Sequence, residues 1–116
     1  MLINLSNHPS DRWTKQQLQM AHHNYGEVVD IPFPHINPEW ELSEVAALVE
    51  EHLGKIASLQ PAAVHIMGEF SFCFLMVNRL KSMGTPAIMS TTSRKVTEEN
   101  GKKIVQFDFV RFRKYF

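Results

Sequence analysis

The sequence predicts an α/β domain with a mainly parallel sheet, helices on both faces and a C-terminal antiparallel hairpin. Up to Ser90, short apolar runs alternate with segments of helical periodicity. This alternation is typical of a parallel sheet covered by helices on both sides. Asn100-Gly101 then marks a tight hairpin turn between two strand-like segments. At 116 residues the chain is too short for two domains, so we expect a single domain over residues 1–116.

The first strand and first helix follow from short-range signals. Leu2–Leu5 form an apolar run that ends in a polar segment. Thr14 with Gln17 has the spacing of a capping box, which predicts a helix start. We expect this helix to stop near Gly26.

The second strand and second helix lie on either side of a proline-rich loop. Residues 27–31 predict a strand, closed by Pro32, which cannot continue a sheet interior. Asn37 followed by Pro38 predicts the next helix start, because proline is favoured at the first helical position. This helix breaks at Pro61, and its apolar face is made of Val45, Leu48, Val49, Leu53 and Ile56.

The third strand and third helix meet at Gly68. Ala63–Met67 is the strand, and apolar residues then recur at helical spacing up to Gly84. A tight glycine turn of this kind aims the free N–H groups of the helix at whatever lies beyond the strand. Gly68 and Ser71 are therefore candidates to contact a phosphate, and a plain strand-to-helix connection remains equally open. Glu69 either favours the helix dipole or orients a ribose hydroxyl.

The fourth strand and the hairpin complete the sheet. Ala87–Ser90 is the strand, which we expect to run out into Thr91–Arg94. The hairpin strands are predicted at Arg94–Glu98 and Lys102–Phe112, as an antiparallel addition at a sheet edge.

Polar side chains are concentrated where the parallel strands end, which is where ligands bind in open α/β sheets. After the first strand they are Asn7, His8 and Ser10; after the fourth they are Thr91, Thr92, Ser93 and Arg94. Hydroxyls donate to phosphate or ribose oxygens, and an arginine neutralises a phosphate with paired N–H bonds. Two roles remain open for His8. It transfers protons as an acid or base near neutral pH, or it is a loop histidine bonded to backbone. His65, in the middle of a strand, is expected to be a satisfied core residue.

Two further arginines leave two possibilities open. Arg111 and Arg113 lie two apart on an extended segment, so their side chains share a face. They either close over the same anion or pair with Glu98 and Glu99 across the hairpin.

Composition excludes several classes of protein. The net charge is zero, with plus four from Arg94 onward and minus four before it, which favours a small anion over a long nucleic acid. No metal-ligand spacing, P-loop or Gly-rich dinucleotide motif is present, so we expect neither metal nor cofactor. The single cysteine, Cys73, indicates a reducing compartment and a packed thiol. No signal peptide or membrane span is evident, and we expect a cytoplasmic protein.

Four segments together resemble a known group of proteins: LINLSNHPS, VHIMGEFSFCFLMVNRLKSMG, STTSRKV and FVRFRKY. They resemble small stand-alone CRISPR-associated proteins of type III systems, which are related to the CARF (CRISPR-associated Rossmann-fold) superfamily and include ring nucleases. The most specific parts are the TT-x-R-x-V run and the terminal VRFR-x-Y. The resemblance implies a Rossmann-like three-layer domain.

The resemblance also implies an activity that switches off antiviral signalling. A homodimer would bind a cyclic oligoadenylate second messenger, with the tetra-adenylate as the expected ring. It would cleave the ring without a metal, by attack of a ribose 2′-oxygen, to linear products with a 2′,3′-cyclic phosphate. His8, Arg94 and Arg111 would be catalytic. The ligand-binding residues would be Asn7, Ser10, Gly68, Glu69, Ser71, Thr91, Thr92, Ser93 and Arg113. A module that binds the messenger without cutting it is the alternative.

Overall fold

The computed structural model describes all residues, 1–116, as five strands, three α-helices and one short 3-10 helix. The strands are β1 (Leu2–Ser6), β2 (Val28–Asp30), β3 (Ala63–Met67), β4 (Ala87–Glu99) and β5 (Lys102–Lys114). The helices are α1 (Lys15–Tyr25), α2 (Leu42–Leu59) and α3 (Phe70–Met83), and the 3-10 helix spans Ser10–Arg12.

The five strands form one mixed sheet in the order β2-β1-β3-β4-β5. The first four strands are parallel, and β5 returns antiparallel to β4. The predicted α/β class, the parallel sheet and the C-terminal hairpin are therefore confirmed.

The fourth strand does not end at Ser90 as we expected. β4 continues without a break to Glu99, because each residue from Thr92 onward pairs with one on β5. The segment Thr91–Arg94 is consequently part of a strand and not a loop at a strand outlet. One irregularity interrupts the ladder between Thr91 and Thr92, where the register shifts by one residue on β5.

The predicted start of the second helix at Pro38 is also wrong. Asn37 instead closes a turn, in which its carbonyl accepts from Trp40 N–H and its side chain accepts from Glu39 N–H. The helix begins at Leu42, after a reciprocal capping box formed by Glu41 and Glu44. Its predicted apolar face is otherwise buried, apart from the half-buried Leu48.

Buried side chains form two clusters, and successive residues of β1 and β3 contribute alternately to them. The first cluster contains Ile3 and Val64 and is packed by α2 and α3. The second contains Leu2 and Ala63 and is packed by α1 and β5. Because neighbouring strand residues point to opposite sides of a sheet, the two clusters lie on opposite faces.

The hairpin extends beyond the body of the protein. β4 pairs with β3 only at Ala87 and Ile88, and farther on its only strand partner is β5. The radius of gyration is 15.7 Å, against about 13 Å for a compact chain of this length. We call residues 93–107 the β-arm. None of the helices has both the length and the apolar character that a membrane span requires.

Candidate functional site

A cavity of about 500 Å³ opens beyond the carboxyl end of the parallel sheet, on the face that α1 covers. We call it the carboxyl-end cavity. Its lining combines a histidine, an arginine, hydroxyls and aromatic rings: His8, Arg12, Trp13, Thr14, Gln17, His65, Met67, Ser90, Thr92, Phe107 and Phe109. It therefore brings together two of the predicted site residues, His8 and Thr92.

His8 is held in place through its backbone. Its carbonyl accepts hydrogen bonds from Asn4 Nδ2 (2.9 Å), Trp13 Nε1 (2.9 Å) and Ser6 Oγ (3.2 Å). No side-chain bond ties the imidazole itself, and the residue is exposed at the cavity wall. His8 thus has a fixed backbone and a ring that remains free to meet a ligand.

A buried polar network forms the floor of this cavity. Gln17 Nε2 donates to Ser90 Oγ (3.0 Å), and Ser90 Oγ lies 2.8 Å from His65 Nε2. On the other side His65 Nδ1 lies 2.9 Å from Asn4 Oδ1. The Asn4 amide donates to Asp30 Oδ1 (2.8 Å). Because Asn4 Nδ2 is the donor to Asp30, the Asn4 atom that faces His65 is the acceptor oxygen Oδ1. The His65 proton therefore lies on Nδ1, and Nε2 accepts from the Ser90 hydroxyl.

The buried position of the ring keeps His65 neutral. Burial, with a further effect from the nearby charge of His8, lowers the pKa of His65 to about 4. The ring also packs edge-on against Trp13 at a centroid distance of 5.1 Å. The expectation that His65 is a satisfied core residue is confirmed.

Of the residues that line this cavity, only His8 and Thr92 were predicted as site residues; Arg12 and Thr14 are among those that were not. The 3-10 helix turns the chain after Pro9, so that Arg12 reaches the same cavity as His8. One signal could have indicated them as site residues: both follow the end of β1 closely in the chain. Arg12 lines this cavity as its arginine, a role that we expected of Arg94.

Gly68, Glu69 and Ser71 do not line the carboxyl-end cavity. Gly68 lines a separate, mainly apolar cavity of about 440 Å³ beside α3. We call it the α3 cavity. A side chain at Gly68 would clash with the ring of Phe33, so a glycine is needed there for packing. The two cavities share one lining residue, Met67.

The N-terminus of α3 is already capped by its own acidic residue. The Glu69 carboxylate accepts from Ser71 N–H (2.7 Å), Phe72 N–H (3.2 Å) and the Ser71 hydroxyl (2.6 Å). Hydrogen bonds from Ser71 and Phe72 outweigh the opposing desolvation and lower the pKa of Glu69. The groups that we expected to meet a phosphate are thus bonded within the chain.

Arg111 and Arg113 line a third cavity, of about 710 Å³, between α1 and the edge strand β5. Arg111 Nε donates to the Phe112 carbonyl (3.3 Å). The ladder pairs Arg111 with Thr91, and Glu98 with Lys103. The alternative in which these arginines pair with Glu98 and Glu99 is therefore wrong.

The remaining predicted residues lie outside these three cavities. Ser10 Oγ donates to Asp30 Oδ2 (2.7 Å), and Asn7 is exposed, its backbone N–H bonded to Met67 (3.2 Å). Thr91 Oγ1 donates to the Arg111 carbonyl (3.1 Å). Ser93 and Arg94 are exposed on the β-arm, where Arg94 is paired with Phe107.

Cys73 is buried in α3 and lines the α3 cavity. Burial, together with the charge of Glu69, raises the pKa of its thiol to about 11. A thiol held protonated in this way is a poor nucleophile. No three His, Cys, Asp or Glu side chains are grouped so that they could hold a metal ion.

These features define an α/β domain with a mixed aromatic and cationic cavity at the carboxyl end of its parallel strands. The chain belongs to the family described as the Uncharacterized protein MJ1673 family, whose model matches residues 1–113. No curated protein and no solved structure matches the chain.

Proposed function

We propose that this protein binds a cyclic oligoadenylate in the carboxyl-end cavity and opens the ring, as a ring nuclease of type III CRISPR defence. One observation carries the proposal: His8, Arg12, Thr92 and two aromatic side chains, Trp13 and Phe107, line one cavity beyond the parallel strands. Aromatic side chains stack on unpaired bases, and arginine neutralises phosphate. The proposed domain is Rossmann-like and three-layered, with α1 on one face and α2 and α3 on the other.

The chemistry would depend on position and charge. The ribose 2′-oxygen attacks the adjacent phosphorus, a new P–O2′ bond forms and the P–O5′ bond breaks. The 2′-hydroxyl loses a proton and the leaving 5′-oxygen gains one; His8 carries out one of these two transfers, and water carries out the other. Arg12 stabilises the charge on the phosphoryl oxygens. Arg94 pairs with the lining residue Phe107 but does not itself line the cavity, so it would have to move to join Arg12 in this role. The product is a linear oligoadenylate that ends in a 2′,3′-cyclic phosphate. This role belongs to a cytoplasmic homodimer, since a twofold-symmetric ring fits two identical sites.

Incubation of the purified protein with labelled cyclic tetra-adenylate tests the proposal. We expect conversion to a linear species by the wild type, and a loss of about a hundredfold or more in His8→Ala if His8 transfers a proton. His23→Ala removes an exposed histidine of α1 and should cleave as the wild type does. The absence of both binding and cleavage in the wild type would refute the proposed function.

A second candidate is capture of the messenger without cleavage. It is favoured by the positions of Arg94 and Gly68, neither of which lines the carboxyl-end cavity of its own chain. Recovery of the labelled ring intact from the protein would select this candidate.

A further inference from the structure

One face of the β-arm carries three exposed apolar side chains, Val96, Val105 and Phe107, with Arg94 opposite Phe107 and the Glu98–Lys103 pair beyond them. Val96 pairs with Val105, and Arg94 pairs with Phe107. Residues at alternate positions share a face, so Val96, Val105 and Phe107 lie in line with the buried Phe109. Phe107 is 63% exposed and the two valines are 47% and 41% exposed. The second core cluster thus continues onto the arm as an exposed stripe.

A two-stranded ribbon with an uncovered apolar face needs a partner surface. Isolated hairpins are at best marginally stable in water, and long apolar edge strands tend to pair with other chains. One ion pair joins Lys95 on the arm to Asp108 at its base (3.2 Å), and both side chains are exposed to solvent in part. Such an exposed pair contributes little stability.

A second unpartnered apolar patch lies on α3. Phe70 is 91% exposed and Phe74, one turn later on the same face, is 67% exposed. Both line the α3 cavity, whose wall is otherwise mainly apolar. We call Phe70, Phe74 and this cavity the α3 patch.

We propose that the α3 patch of one copy of this chain packs on the apolar face of the β-arm of a second copy, and reciprocally, in a twofold dimer. A fully exposed phenylalanine presents on the order of 200 Å². On that scale, the exposed fractions of Phe70, Phe74 and Phe107 amount to about 900 Å² of aromatic surface in two chains. With the valines of both arms added, the contact approaches the roughly 1,200–2,000 Å² of stable interfaces.

The two surfaces are suited to each other in chemistry and reach. One is an extended ribbon that carries Val96, Val105 and Phe107, the other combines two exposed rings with the apolar α3 cavity, and each chain carries one of both. The arm strands between Thr92 and Glu99 extend about 24 Å, at about 3.4 Å per residue. Reciprocal packing uses every patch once, which closes the assembly at two chains.

This dimer would also complete the ligand site, a consequence that rests on the proposed function. Phe107 lines the carboxyl-end cavity and belongs to the arm face that the second copy would cover. Gly68 and Ser71 flank Phe70 in the chain, so those of the second copy would arrive beside His8 and Arg94 of the first.

Disulfide trapping between different chains tests the interface without any ligand. Cys73 is first replaced in every variant (Cys73→Ala), because its thiol lines the α3 cavity. Protein carrying Phe107→Cys is then mixed with protein carrying Phe70→Cys and oxidised. We expect a covalent dimer that contains one chain of each kind. The matched control pairs Phe70→Cys with Leu42→Cys, an exposed leucine outside both surfaces, and should stay uncrosslinked.

Sedimentation of the unmodified chain gives the second test. We expect a mass of two chains, and a dimer dissociation constant raised about a hundredfold or more by Phe70→Ser, since the ring is lost twice in a twofold dimer. Leu42→Ser should leave the dissociation constant unchanged. A single-chain mass, a mass that grows beyond two chains, or crosslinking of Phe107→Cys only to itself would overturn the proposal. These results do not involve the messenger, so they are separable from failure of the proposed function.

Discussion

The buried imidazole of His65 predicts a specific dependence of stability on pH. Its folded-state pKa of about 4 lies below the ordinary value of 6.5. Between these two values the unfolded chain binds a proton that the folded chain does not. The free energy of unfolding should therefore rise with pH across this window and fall as the solution is acidified.

The size of the effect follows from the difference between the two pKa values. Each unit corresponds to about 1.4 kcal/mol, so the full window is worth about 3 kcal/mol. The main physical cause is that a charged His65 ring would lie between Trp13 and Phe112, away from water. The added proton on Nε2 would also face the Ser90 oxygen, which already accepts from Gln17. The stability contributed by neutral His65 should be fully present above about pH 6.5 and should be lost as the pH falls toward 4.

Urea unfolding at several pH values, followed by the fluorescence of the buried Trp13 and the half-buried Trp40, measures this dependence. We compare the wild type with His65→Gln, which cannot titrate, and with His23→Gln, which removes an exposed histidine. The pH slope between 5 and 6.5 should disappear in His65→Gln and persist in His23→Gln. Glu50 and Glu69, whose pKa values are lowered, lose their contributions at lower pH in all three proteins and cancel in the comparison. An unchanged slope in His65→Gln would refute the assignment.

Three further predictions concern the region around the third strand and helix. Glu69→Ala removes the cap of α3 and should cost about 1 kcal/mol in thermal unfolding, while Glu69→Asp, which keeps a capping carboxylate, should cost less. Gly68→Ala should destabilise the fold by about 1–3 kcal/mol, because the new Cβ would overlap the Phe33 ring. Adding Phe33→Leu in the same chain should recover part of this loss. If the losses of the two single variants simply add in the double variant, the contact is not the cause. Tyr115→Phe should cost about 1 kcal/mol, because the hydroxyl donates to the Ile66 carbonyl at 2.6 Å. Ultraviolet titration should place the pKa of Tyr115, raised by burial, at about 12.

Local signals were enough for most of the fold. Thr14 at the start of α1, Gly26 and Gly84 at helix ends and the Asn100-Gly101 turn each specify a backbone geometry through nearby atoms alone. The one misplaced helix start had two competing local signals. Pro38 favours a helix start at its own position, but the reciprocal bonds between Glu41 and Glu44 place the start of α2 at Leu42 instead.

The candidate site was less predictable, because it depends on which face and which partner each residue meets. The run Thr91–Arg94 looked like a strand outlet, but pairing with β5 makes it a strand, and only Thr92 reaches the carboxyl-end cavity. Arg12 lines that cavity because a 3-10 turn directs the chain toward it, and hydrophobic periodicity does not predict the direction of such a turn.

The amino-acid sequence by itself determined the α/β class, the order of strands and helices, and the presence of hydroxyl, imidazole and guanidinium groups near strand ends. These depend on short-range patterns of hydrophobicity, capping and turn chemistry. Only the tertiary structure decided that His8 and Arg12 share a cavity, that Gly68 and Arg111 line others, and that the β-arm carries an uncovered apolar face. The reason is that cavities form between elements far apart in the chain, where register and packing, rather than local preference, set which side chains meet.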